Sequence, residues 1–435
     1  MRSHTQCKVK CKHDLKKYKF VPLIIHGDGV EFVDQDSLES LQLGPLLGQG
    51  NSLDCLFLIA TWPYSVTHKT KRSTERVENT TWVPVMRELK TRLINCLNGR
   101  NKYGEKLTPG GHRFIVWSIG GDNEHHVNFF GCKHWSMKEY CSKCDCNRTT
   151  KDGLVIGKKR KWTEHGAFHK PSTNPIMEVP GMCCHTIEDD TLHDLFVHGL
   201  CSHLMGSALH TMIYKEGPGK QKTAPAVRLS KIFVRIREIC KNSGLTCPLS
   251  NIDLSKIHTP DKAHQTYPYF KAKGHDTKVL LPVVAKVAEQ SSDKSDKMNM
   301  KRDEALQTLS DLCKLMDEAP IIPSDSQAEQ LMELYEKFAD AYEWLHTWAK
   351  NKKRYLFNKV YKFHYFYHLC RKFKFLNPKV TAAFRGEDYI GSISVMGHNC
   401  TMGKTRLEVA TSLCQKYREH MHLRLTRGDF LDEHN

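Results

Sequence analysis

Two strongly apolar, β-branched runs each end on a glycine followed by an aspartate, and this pairing constrains the chain more than any other feature. Val21-Pro22-Leu23-Ile24-Ile25 leads into the HGDG around Asp28, and Phe114-Ile115-Val116-Trp117-Ser118-Ile119 leads into the GGDNE around Asp122. Such runs read as buried strands, and a strand that stops at Gly-Asp presents its carboxylate at the C-terminal edge of a sheet, where α/β folds build their sites. A turn after a strand would give the same Gly-Asp signal. A third acid, Glu387 of FRGEDYIGSISVMGH, falls at the start of a predicted helix, where the helix dipole favours a negative charge whatever its role. Asp388 is its neighbour and rival. Carboxylates gathered at one edge repel unless a cation lies between them, and hard oxygen donors select Mg²⁺ or Mn²⁺.

The hydrophobic periodicity orders the rest of the chain. Strands are expected over residues 19–34, 38–47, 53–64 and 112–120, with an amphipathic helix over 81–97 before the last of them. The polar, basic stretch 151–180 reads as an exposed loop. A helix is predicted over 190–214, followed by helices and polar linkers to about 325. Gln290–Lys301 is the most disorder-prone piece. The clearest helix spans 326–350, with Ser326 and Glu329 as a capping box. Its stripe of Leu331, Leu334, Tyr335, Phe338, Tyr342, Leu345 and Trp348 reads as core.

With 65 Lys+Arg against 48 Asp+Glu, the net charge of +17 makes a polyanion the expected partner, nucleic acid before an anionic membrane. No run approaches the roughly 18 apolar residues a membrane span needs. The polar, basic N-terminus lacks an apolar core segment, so secretion is not expected. Two basic clusters stand out. Lys158, Lys159, Arg160 and Lys161 resemble a nuclear import signal. Lys350, Lys352, Lys353 and Arg354 precede an aromatic-rich stretch that would offer stacking groups to nucleic acid.

The 17 cysteines are scattered and odd in number, as expected of reduced thiols rather than a disulfide framework. Cys141-x-x-Cys144-x-Cys146, with Cys132 and His134 upstream, forms a candidate zinc cluster, since tetrahedral Zn²⁺ needs two ligands beyond a CxxC pair. Cys183, Cys184 and His185 compete for the second pair, and plain structural cysteines are the alternative. Cys7 and Cys11 with His13 are a weaker candidate. His364 and His368 have a metal-compatible spacing, but no acid stands between them as a zinc protease requires. Gly397 and Gly403-Lys404-Thr405 fail as a phosphate loop, with five residues between the glycines instead of four.

Taken in order, strand–acid, strand, strand, helix, strand–acid, helical insertion and helix–acid, the chain resembles the RNase H-like core of the DDE/D transposases. Its local words resemble the CACTA-like (En/Spm-type) group. They are HGDGVEF with a Gly-Gln-Gly-Asn turn; GGDNE with HW and CSKCDCNR; DTLHDLFVHGLCSHLMGSAL; LFNKVYKFHYFYHL; FLNPKVTAAFRGEDYIGSIS; and KYREHMHLRL. The resemblance implies an α/β fold: an RNase H-like mixed sheet flanked by helices and interrupted by a large all-α insertion. The expected division is a basic tail to residue 18, a first core part to 150, the insertion to 355, and a C-terminal core part from 356. It implies that Asp28, Asp122 and Glu387 hold two Mg²⁺ or Mn²⁺ ions for DNA strand cleavage and strand transfer. The implied partners are transposon ends and target DNA, in the nucleus, with a homo-oligomer permitted. One departure stands out. Where an acid is looked for just after the "LH", the chain has Phe196, with Asp194 and His198 nearby. Nor is a separate N-terminal DNA-binding domain evident. A catalytically inactive, transposase-derived nucleic-acid binder is therefore the alternative expectation.

Overall fold

The computed structural model describes residues 19–33, 36–48, 52–66, 82–149, 156, 162–166, 169, 172–214, 223–257 and 265–427. The predicted loop cluster Lys158, Lys159, Arg160 and Lys161 lies outside them, as do Cys7, Cys11 and His13. The chain divides into two compact units. One comprises Met1–Asp145, Thr163–Asp190 and Thr381–Asn435; the other comprises Cys146–Trp162 and Thr191–Val380.

The first unit is mixed α/β. Its four strands, β1 (Phe20–Val33), β2 (Asp36–Pro45), β3 (Phe57–Pro63) and β4 (Arg113–Gly120), form one sheet in the order β3-β2-β1-β4. β1 pairs antiparallel with β2 and parallel with β4, and β2 pairs antiparallel with β3. Alternation along β1 sends successive side chains to opposite faces. Ile25 joins Leu41, Val116 and Ile119 in one core, and Ile24, Val30 and Phe32 turn toward another. Helix α2 (Trp82–Asn98), which follows the short α1 (Ser52–Cys55), covers the first face with Met86, Leu89 and Leu93; Phe129 and Phe130 of α3 (Asn123–Phe130) complete it. α10 (Phe384–His398) and α11 (Arg406–Arg427) cover the second face through Tyr389, Ile393, Leu413 and Tyr417. Ion pairs tie α11 to β2 and α1, Arg406 to Asp36 at 2.8 Å and Arg424 to Asp54.

The first strand does not stop at Asp28. Its parallel pairing with β4 ends at His26↔Gly120, but β2 carries the antiparallel ladder on through Asp28↔Ser40 to Val33↔Asp36. Asp28 therefore lies within a strand, two residues past the end of the parallel ladder.

The second unit is helical. Its α4 (Leu200–Ile213) is buried along its whole length and packs against α6 (Gly274–Ser291) and α7 (Lys297–Glu318), with α5 (Pro225–Asn242) and α8 (Asp325–Asn351) beside them. A helix apolar all round belongs in a core. The expected single helix over 190–214 is broken: a π-turn covers Leu192–Phe196, His198 has φ 51°, and Gly199 restarts the helix. A Cβ on Gly199 would lie 2.3 Å from the Asp194 carbonyl oxygen, so the chain turns where only glycine fits. Gln290–Lys301 is ordered, because α6 ends at Ser291 and Asp296 caps α7 by accepting from Met298 N. The capping box of α8 is Ser324 with Gln327, not Ser326 with Glu329. Leu331, Tyr335, Phe338, Tyr342 and Leu345 are buried as expected, and Leu334 and Trp348 half-buried. Among the described residues, no helix is long and apolar enough to cross a membrane.

Candidate functional site

The three acid-bearing segments meet around His26, where the parallel ladder of β1 and β4 ends. His26 stands opposite Gly120 in the parallel ladder, so Asp28 and Asp122 each follow that pair by two residues. Asp122 is the N-cap of α3, its Oδ1 accepting from His125 N at 2.6 Å. α10 packs on β1 and brings Gly386 against the His26 ring. Glu387 follows it in the first turn, exposed to solvent, while neighbouring Asp388 accepts a hydrogen bond from the Ser52 hydroxyl.

The floor of this edge is a set of buried imidazoles, His26, His125 and His126. Burial lowers His26 to about 4; Asp190 and Asp122 oppose it and His125 reinforces it. Burial likewise depresses His126, with His125 and Lys143 adding to the effect. Asp190 belongs to a second acidic stretch that sequence reasoning passed over. Ile187 bridges to Ile119 in parallel, and Glu188 N donates to Ile119 O at 2.8 Å, which lays Glu188-Asp189-Asp190 beside the end of β4. The available signal was an acid run directly after an apolar residue.

Lys143 N donates to Cys141 Sγ at 3.3 Å, and Cys144 bridges to Glu164. On α9 (Lys362–Lys372), His364 and His368 are buried with their Nε2 atoms 3.1 Å apart. A buried Cys/His cluster, Cys141, Cys144, His364 and His368, has one ligand atom from each residue within 4.8 Å of the others and could hold a metal such as zinc. Two sulfurs and two imidazole nitrogens suit tetrahedral Zn²⁺. This is the one such group of three or more ligands among the described residues, and Asp28, Asp122 and Glu387 are not part of it.

Cys132, His134 and Cys146 lie outside the group, which corrects the expected ligand set. His134 stacks on Trp135 with centroids 4.0 Å apart and sets its Nδ1 2.6 Å from Ser136 Oγ. The competing Cys183, Cys184 and His185 are not the second pair either; His185 Nε2 lies 3.1 Å from His165 O. The i,i+4 histidines were visible in the sequence, but nothing there joined them to a CxxC more than 200 positions earlier.

Lys350, Lys352 and Lys353 are exposed at the end of α8, and Arg354 is half-buried. The aromatic residues after them divide between core and surface. Phe357, Phe363, Phe366 and Phe373 are fully buried, and Tyr355 is exposed beside Tyr267, with ring centroids 5.4 Å apart.

Fold and site together define a mixed α/β protein with a four-stranded mixed sheet, a helical unit and a buried Cys/His centre suited to a metal. No protein-family model matches the chain, and no curated protein is significantly similar to it.

Proposed function

We propose that the chain is a transposase-derived enzyme that cleaves and transfers DNA strands in the nucleus, with an RNase H-like core and a two-metal carboxylate site. The observation that carries this reading is the assembly of three sequence-remote acid segments around His26, at the end of the β1–β4 ladder. The sheet order β3-β2-β1-β4, with β4 alone parallel to β1, supports the same core. The donor set fits hard cations, since Asp28, Asp122 and Glu387 offer carboxylate oxygens from a strand and two helix starts. In this reading Asp28, Asp122 and Glu387 would hold the ions. Bound there, Mg²⁺ or Mn²⁺ supplies activation of the attacking oxygen and stabilisation of the leaving one. The exposed Lys350, Lys352 and Lys353 hold DNA phosphates without reading sequence. Zinc at the Cys/His cluster has a structural role.

The test is nicking of supercoiled plasmid with Mg²⁺ or Mn²⁺. Wild type is expected to nick, and Asp28→Asn, Asp122→Asn and Glu387→Gln to be inactive while still binding DNA. One observation favours a second reading. The Asp122 carboxylate already has a structural task as a helix cap, which an inactive DNA binder would keep. Salt-sensitive DNA binding with no metal-dependent nicking by wild type selects that alternative.

A further inference from the structure

Each of the three acids directly follows a glycine: Gly27–Asp28, Gly121–Asp122 and Gly386–Glu387. None of these glycines has room for a side chain. A Cβ on Gly386 would lie 2.1 Å from Cε1 and 2.3 Å from Nε2 of His26. On Gly27 it would lie 2.0 Å from Nε2 of His125. On Gly121 it would lie 2.5 Å from Gly27 O and 3.2 Å from Cδ2 of His125. Gly121 also needs its backbone freedom, at φ 147°; for Gly27 and Gly386, which are not at positive φ, space is the reason.

The two rings that occupy this space are each 3% exposed, so they cannot swing into solvent. His125 is backed by Phe129, with ring centroids 4.6 Å apart. Neither ring makes a hydrogen bond of normal geometry. Gln42 lies alongside His26 without completing a hydrogen bond of normal geometry, and Glu39 Oε2 is 3.8 Å from His125 Nδ1. Buried imidazole nitrogens without partners are costly, and a hydrocarbon side chain would fill the volume without that penalty. What the rings contribute is rigid, flat thickness against bare backbone.

We propose that His26 and His125 are positioning residues: keyed to Gly386 and to Gly27 and Gly121, their rings set the spacing of the three acid-bearing segments. The inference deepens the two-metal reading and rests on it for its consequence, metal affinity.

The experiment is a set of paired substitutions, with Mn²⁺ affinity measured by the electron paramagnetic resonance of free Mn²⁺ and backbone amide exchange followed over residues 26–29 and 385–388. Gly386→Ala is expected to weaken Mn²⁺ binding by about 10–100-fold, as loss of a supporting contact does, and to deprotect 385–388. Adding His26→Ala restores both readouts, and adding His125→Ala restores neither. For Gly27→Ala the pattern reverses, with His125→Ala as the suppressor. Wild-type Mn²⁺ affinity in Gly386→Ala, or equal rescue by either histidine substitution, overturns the proposal. If wild type binds no Mn²⁺, the two-metal reading fails, and partner-specific rescue of amide exchange still decides the spacing claim. Should Gly386→Ala not fold, recovery of folded protein by His26→Ala but not by His125→Ala supports the proposal, and equal recovery or none overturns it.

Discussion

Lys143 offers a quantitative test of how the cysteine turn is fastened to the acid edge. It stands between Cys141 and Cys144, and its Nζ lies 2.6 Å from Asp189 Oδ2, with the two side chains 9% and 11% exposed. Burial pulls the ammonium pKa down, but Asp189 and Glu188 outweigh it and leave the group above 10.5. Coulomb attraction to Asp189 and Glu188 is the leading raising cause, and the hydrogen bond to Asp189 adds to it. Unit charges about 4 Å apart attract by about 4 kcal/mol at an effective dielectric constant near 20. Desolvating both groups costs a similar amount, so the intact pair is nearly neutral for stability while either half alone is not. Lys143→Met strands a buried carboxylate and should destabilise by about 3–5 kcal/mol, as should Asp189→Leu, whereas the double variant should stay within about 1 kcal/mol of wild type. The assay is a double-mutant cycle by urea unfolding at pH 7 with zinc in fixed excess. A folded pKa above the unfolded value means the pair's contribution is complete below 10.5 and is lost as pH rises through the folded pKa. Wild type should therefore lose stability above that pH more steeply than Lys143→Met. Additive single effects, with coupling below about 0.5 kcal/mol, would refute the argument.

Other outcomes follow from the same geometry. Elemental analysis should find one zinc per chain, lost in Cys144→Ser and His364→Ala but retained in Cys132→Ser and His134→Ala. Asp122→Ala should lower stability by about 1 kcal/mol through the lost helix cap, while Asp122→Asn keeps the cap and loses nicking; urea unfolding beside the plasmid assay separates the roles. Burial, aided by Lys362 and His198, lowers His203 to about 4, so its folded form resists protonation. Its contribution is complete above pH 6.5 and is lost as pH falls from there to about 4, amounting to about 3 kcal/mol. His203→Gln should flatten that part of the stability profile measured by urea titration.

The strands that carry the first two acids were legible because β-branched runs bounded by glycine have few other uses. That Asp28 sits inside β1 was not legible, since it depends on β2 pairing beyond the point where β4 stops. The break at His198-Gly199 was hidden by apolar residues that continue at helical spacing on both sides, and close packing of Gly199 on the Asp194 carbonyl decides it. Ser324/Gln327 and Ser326/Glu329 present the same capping signature, and a two-residue offset is beyond what periodicity resolves. At the site, each half of the Cys/His group was visible locally, but the pairing is a tertiary fact. His26 and His125 gave no local signal, because what marks them is the space left by sequence-remote glycines, Gly386 for His26 and Gly27 for His125.

The acid edge itself is most directly tested by anomalous X-ray diffraction from crystals grown with Mn²⁺. The account predicts manganese peaks ligated by Asp28, Asp122 and Glu387, and their loss in Asp28→Asn. Manganese that is absent from this edge at millimolar concentration, or bound without these carboxylates, would contradict it.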